Sequence, residues 1–242
     1  MTIDSRHITA MIPARLGSER LAKKNLVLLA GEPLIVHAIK VAQTSGVFDR
    51  IVVNSESGIF GRIARQYDVE FYKRAEHLAT ADTQSDDVVY DFAIHHATDV
   101  IVWVNPTSPL QPHHEVREVV SYFVRAGLDS LVTVKEERVH CNFGGEALNY
   151  KLGEKFAKTQ DLEAVQRFVY SLMMWRRDPF MAEYERQGHA MLFGRSGFYP
   201  VSQLSSLIVK TEEDIRICEY ILDGLAQKRG EPLSYFSLSE EG

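Results

Sequence analysis

Short runs rich in Val and Ile recur through the first 135 residues, each followed by a stretch with helical spacing. This alternation constrains the fold more than any other feature. The runs are ITAMI (8–12), RIVVNS (50–55), DVIVWVN (99–105) and DSLVTVK (129–135). Their nearly continuous apolar character suits strands covered on both faces. Between them, PLIVHAIKVAQTSG has Pro33 at its start and Gly46 at its stop, and SGIFGRIARQY has Ser57 as an N-cap. TQSDDVVYDFAIHHA sets Val88, Phe92 and His95 or His96 on one face, and HHEVREVVSYFVRAG ends at Gly127. Strand–helix–strand order with short connections predicts an α/β fold, a mostly parallel central sheet with helices on both faces.

From about 136 to 190 the alternation lapses. The stretch carries a Gly-Gly turn at 144–145 and a group of aromatic and Met residues at 168–181. It reads either as an excursion from the sheet that packs on a second subunit or as an aromatic cluster in the protein's own core. A strand, AMLFGR (190–195), and an amphipathic helix, TEEDIRICEYILDGLAQKR (211–229), complete a single domain expected over 1–242, with SLSEEG as a frayed tail. A net charge of −6 argues against a nucleic-acid surface. No apolar run approaches the ~20 residues of a membrane span, and no h-region follows the first residues. The two cysteines, Cys141 and Cys218, lie far apart without Cys-x-x-Cys spacing, which fits a reducing compartment, and a cytoplasmic location is expected. The pairs His95–His96 and His113–His114 lack zinc spacing and read as helix-surface histidines.

Positive charge is concentrated in one place. Positions 15–24 hold four Lys or Arg residues against one Glu, directly after the first strand. Ligands of open parallel sheets bind beyond the carboxyl ends of the strands. There Gly17 and Ser18 allow a tight turn with N–H groups free for an anion, Arg15, Lys23 and Lys24 can neutralise a polyphosphate, and Asn25 offers a donor and an acceptor. Neither a Walker loop nor a Gly-x-Gly-x-x-Gly fingerprint is present.

The segment IPARLGSERLAKKNLVLLAGEPLIVHAI resembles the opening of the acylneuraminate (CMP-sialic acid) cytidylyltransferases. Arg15, Gly17, Ser18, Lys24, Asn25, Gly31, Pro33, Leu34 and Ile35 match the family pattern. The likeness continues at FDRIVVNSES, KRAEHLATADT and VNPTSPLQ, and more weakly at TQDLEAV. The resemblance implies a Rossmann-like nucleotide-diphospho-sugar transferase fold, a homodimer, and transfer of CMP from CTP to an acidic nonulosonic sugar with release of pyrophosphate. On the family's pattern, Arg15 and Lys24 are the catalytic, phosphate-holding cations, and Arg15, Gly17, Ser18, Lys24, Asn25 and Arg74 bind the nucleotide. Asn105 and Gln160 face the sugar, and Mg²⁺ is the expected cofactor. Lys24–Asn25 favours this group over the 3-deoxy-manno-octulosonate enzymes.

Five positions depart from that pattern. Glu19 replaces a lysine, Glu56 an aspartate and Gln111 an arginine. Opposite unit charges at ~4 Å and an effective dielectric of ~20 interact by about 4 kcal/mol, so the reversal at Glu19 is the severe one in a phosphate site. In SLIVKTEED, Ile208 and Lys210 stand where the family has two metal-binding aspartates, alternating on one face of a strand. Thr211-x-x-Asp214 has capping-box form, which assigns Asp214 to a helix start. A catalytically impaired member that binds nucleotide, sugar or a partner is therefore the rival expectation.

Overall fold

The computed structural model describes residues 7–227. The chain runs β1 (Ile8–Pro13), α1 (Leu34–Ser45), β2 (Arg50–Ser55), α2 (Gly58–Gln66), β3 (Glu70–Lys73), α3 (Ser85–His95) and β4 (Val100–Val104). It continues through α4 (His113–Ala126), β5 (Ser130–Glu137), β6 (Val165–Arg176), α5 (Arg177–Gln187), β7 (Ser196–Pro200) and α6 (Glu212–Gln227). The strands form one sheet in the order β7-β5-β6-β4-β1-β2-β3. All neighbours are parallel except β6, which runs antiparallel to both β4 and β5.

The predicted helix limits hold where a cap sets them. Pro33 precedes α1 and Gly46, at φ 65°, closes it. Ser57 Oγ accepts from Ile59 N at 3.4 Å to open α2. Alternate side chains of β1 then supply both layers. Ile8, Ala10 and Ile12 pack under α1, α2 and α4, through Ile35, Ile39, Phe60, Val119 and Phe123. Met11 faces the other way, toward Phe92 of α3, Phe180 of α5 and Trp175. Leu29, Leu34 and Leu110 receive Ile215 and Cys218 of α6.

Three expectations change. Residues 165–176, inside the stretch where alternation lapses, are the longest strand of the sheet, and Trp175 is fully buried there, donating Nε1–H to Met191 O at 2.9 Å. The aromatic group at 168–181 thus belongs largely to this chain's own core, while 138–164 lies outside the sheet and carries a hairpin turning at Gly144 and Gly145, both at positive φ. AMLFGR is not a strand. Its backbone is held by side chains, with Ala190 N bonded to Asp86 Oδ1 and Phe193 N to Ser130 Oγ, and the strand begins at Ser196. His96 is buried rather than superficial, stacked on Phe92 at 3.9 Å between centroids. The SLSEEG tail, and the last two residues predicted for α6, lie outside the described residues.

Candidate active site

The loop leaving β1 is pinned to β2. Ala14 N donates to Asn54 O at 3.0 Å, and Leu16 N donates to Glu56 Oε1 at 2.8 Å. Glu56, which stands where the family pattern has an aspartate, is thus the anchor that aims the loop. Arg74 closes the same corner from β3. It is 4% exposed, donates from Nη2 to Ala14 O at 3.0 Å and from Nη1 to Asn54 O at 3.3 Å, and lies 3.6 Å from Glu56. Burial works against its charge and the Glu56 carboxylate works for it.

Beyond these strand ends lies a cavity of about 290 Å³. Arg15, Ser18, Glu19, Arg20, Lys24, Asn25, Arg74 and Asn105 are all on its wall. Gly17 is exposed and outside it; a Cβ there meets nothing within 4 Å, so the turn itself does not require glycine. Arg15 Nη1 reaches across to Thr80 O at 2.6 Å. Lys24 follows Lys23, whose left-handed φ of 50° turns the chain into a short 3₁₀ segment. Burial holds the Lys24 ammonium below its ordinary pKa, and the charges of Arg20, Arg15 and Lys210 add to that, while Asp214 opposes it. Asn25 is buried, and its Oδ1 has no hydrogen-bond partner among the described residues, nor has Arg74 Nε.

A second cavity of about 560 Å³ adjoins the first, sharing Gln84, Ser85, Trp103 and Asn105 with it. Its wall is largely apolar, with Phe168, Tyr170, Met173 and Leu192, and it contains no cationic side chain. Asn105 sits between the two, with its polar atoms already engaged. Oδ1 accepts from Thr107 N at 3.0 Å and Thr107 Oγ1 at 2.8 Å, and Nδ2 donates to Tyr170 O at 3.0 Å. Gln160 lies apart, exposed on a 3₁₀ turn and on neither wall.

Trp103 and Tyr170 escaped the sequence reading. Trp103 had a signal, a lone indole near the carboxyl end of an aliphatic strand; its Nε1 is buried without a partner among the described residues. Tyr170 had none. It holds φ 60° where β6 shifts register between Phe168 and Met173, a strained bulge beside the cavity.

For the expected Mg²⁺ the aspartate positions of the family pattern are filled by Ile208 and Lys210. Among the described residues no three His, Cys, Asp or Glu side chains are placed to hold a metal. Ile208 and Lys210 lie in a loop rather than on a strand, where Val209 N donates to Thr107 O at 2.8 Å. Asp214 caps α6 as its sequence form predicts, Oδ2 accepting from Lys210 N and Thr211 N at 2.8 Å and from Thr211 Oγ1 at 2.9 Å. The residues present do not fit a protein-built divalent site.

The sequence profile of the cytidylyltransferases matches residues 9–216. The chain belongs to the cytidylyltransferase family. Within it, the resemblance to acylneuraminate enzymes is borne out by similarity to the N-acylneuraminate cytidylyltransferase of Streptococcus agalactiae serotype III, 27% identical over 84% of this chain and 50% of that protein. The CMP-N,N'-diacetyllegionaminic acid synthase of Legionella pneumophila is 37% identical over 47% of this chain and 51% of its own length. The chain spans about half the length of the curated relatives it matches. The fold is shared with a solved CMP:2-keto-3-deoxy-manno-octonic acid synthetase complexed with CTP, at a TM-score of 0.65 and 14% identity, covering 90% of this chain and 99% of that one. It is shared also with the 4-diphosphocytidyl-2C-methyl-D-erythritol synthase of Anaerococcus prevotii, at a TM-score of 0.64 and 11% identity, over 91% and 100% of the two chains. The sheet and its flanking helices are thus the nucleotide-sugar transferase fold expected from the sequence.

Proposed function

We propose that this protein transfers CMP from CTP to the anomeric hydroxyl of an acidic nonulosonic sugar. In the step, the hydroxyl oxygen bonds to the α-phosphorus, the bond from that phosphorus to the β-phosphate oxygen breaks, pyrophosphate leaves with the electron pair, and the hydroxyl proton passes to solvent. The observation that carries this reading is the cation-lined cavity beyond the strand ends, with Arg15, Lys24, Asn25 and Arg74 on one wall and a second cavity adjoining it at Trp103 and Asn105 with room for an acceptor. Arg15 and Lys24 hold the phosphates, with Ser18 and Gly17 presenting the turn. Asn25 and Arg74, each with a buried polar atom awaiting a partner, take the nucleoside. Asn105 fixes the Tyr170 bulge against the sugar. Catalysis on this reading is positioning and charge neutralisation, and no step runs through a metal held by the chain. Gln160 has no place in it within one chain.

The reading also makes the protein a cytoplasmic homodimer. Its test is pyrophosphate release from CTP and Mg²⁺ against a panel of N-acylated nonulosonic acids and 3-deoxy-manno-octulosonate. Turnover with a nonulosonic acid supports it, and turnover with the octulosonate alone replaces the acceptor. A second reading, a binding protein that has lost turnover, is favoured by Glu19 on the cavity wall and the missing metal ligands. Silence across the panel with CTP still bound in calorimetry would establish it.

A further inference from the structure

Cations gather on the first cavity, and the carboxylates near it, Glu19 apart, are already committed. Arg15, Arg20, Lys24 and Arg74 line the wall, and Lys210 lies just off it, next to Val209, which is bonded to the wall residue Thr107. The root of Lys210 is fixed on both sides, by Val209 N on Thr107 O and by its own N–H on Asp214. Glu56 serves Leu16 N, Ser55 Oγ and Arg74, and Asp87 serves Gln84 N and Tyr184 Oη. Asp86 serves Ala190 N, and Asp214 serves the start of α6. Glu19 is the only acidic side chain on that wall among the described residues. Such a surface repels a bare divalent cation and attracts a polyanion.

A triphosphate brings roughly four negative charges near neutral pH, one on each inner phosphate and nearly two on the last. The four wall cations less Glu19 leave about three positive charges, and Lys210 brings the total to about four. Resting on the nucleotide reading above, we propose that this chain binds CTP without a divalent cation, Lys210 joining Arg15, Arg20, Lys24 and Arg74 to supply the charge on which a metal would otherwise be needed. The two unpartnered buried atoms in the same corner, Asn25 Oδ1 and Arg74 Nε, mark it as a ligand site rather than a solvated charge cluster.

Calorimetry of the full chain with CTP, in EDTA and in excess Mg²⁺, tests this. The dissociation constants should agree within about threefold, and Lys210→Met should weaken binding in EDTA by about tenfold. Lys210 is exposed, so its melting temperature should stay unchanged, which separates lost binding from lost fold. Ile208→Asp with Lys210→Asp should make binding depend on Mg²⁺. If CTP binds only with Mg²⁺, the proposal fails while the nucleotide reading survives. If CTP binds in neither condition, both fail. Unchanged affinity in Lys210→Met removes Lys210 from the site and overturns the proposal as stated.

Discussion

Burial first, and then the charges of Arg20 and Arg15, hold the Lys24 ammonium below its ordinary pKa. The unfolded chain therefore binds more protons than the folded one between the lowered value and the ordinary lysine value of 10.5. Charged Lys24 costs stability throughout the range below its folded pKa, and that cost is relieved as pH rises through the window. Lys24→Met should accordingly melt about 2 °C higher at neutral pH, a gain that shrinks toward pH 10.5, while CTP binding weakens by at least about tenfold. Wild-type affinity for CTP should also fall as pH rises through the lowered pKa, because only the ammonium attracts phosphate. Differential scanning calorimetry and titration across pH check both signs, and a lower melting temperature would mark Lys24 as structural. Trp103 makes a parallel case. Its Nε1–H has no partner among the described residues, so Trp103→Phe removes no bond from the fold. It should raise KM for the sugar by about tenfold with the Kd for CTP unchanged, measured by steady-state kinetics and calorimetry.

Elements with punctuated ends were legible in sequence, and those defined only by their neighbours were not. Pro33, Gly46, Ser57 and Gly127 mark helix limits chemically, and β1, β2, β4 and β5 announce themselves as β-branched runs. In the site, Arg15, Lys24 and Asn25 share one wall because a strand end and its loop are contiguous in sequence, and Arg74 joins them from the end of β3. β3 is four residues of mixed polarity, and the β6 bulge that brings Tyr170 to the cavity depends on pairing with strands far away in sequence. The mistaken strand at 190–195 has apolar residues, but its hydrogen bonds go mainly to side chains, Asp86 of α3, Ser130 of β5, Trp175 of β6 and Asp129. Glu115 shows how such distant pieces are held. From the first turn of α4, buried, it accepts from Ser202 N at 2.7 Å, from Ser205 Oγ and from Gln111 Nε2 at 3.3 Å, fixing the turn that follows β7. Glu115→Ala takes away an acceptor shared by all three donors, two of them on the buried residues Ser205 and Gln111, and should cost about 3 kcal/mol in urea denaturation. Loss of less than about 1 kcal/mol would show that the turn is held by something else.

At the scale of the whole molecule, the sheet order places β1 and β4 side by side with α3 and α5 on one face and α1, α2 and α4 on the other, so the cleft opens beyond the carboxyl ends of these central strands. The segment 138–164 belongs to neither layer, and its composition is wrong for a solvated loop. Phe143 is 80% exposed, Leu152 75% and Phe156 73%, with Leu148 and Val139 also exposed. Large apolar side chains gathered on one segment outside the core are the signature of a surface that is covered in the functional assembly. For the homodimer proposed above, this segment is the natural contact, because the sheet, helices and cleft of one chain leave it no intramolecular partner layer. Sedimentation velocity should then give a dimer, and Phe143→Asp with Leu152→Asp should convert it to a monomer. Each side chain is mostly in water within one chain, so the melting temperature of the monomeric variant should reflect lost association alone, independent of protein concentration where the wild type's is not. A wild-type monomer at every concentration, or a variant that stays dimeric, would move the contact elsewhere or remove it. If pyrophosphate release survives in the monomeric variant, each chain carries a complete site. If it is lost with CTP affinity intact, the sugar side is completed across the interface, and Gln160, exposed on that same segment, regains a role that one chain alone does not give it.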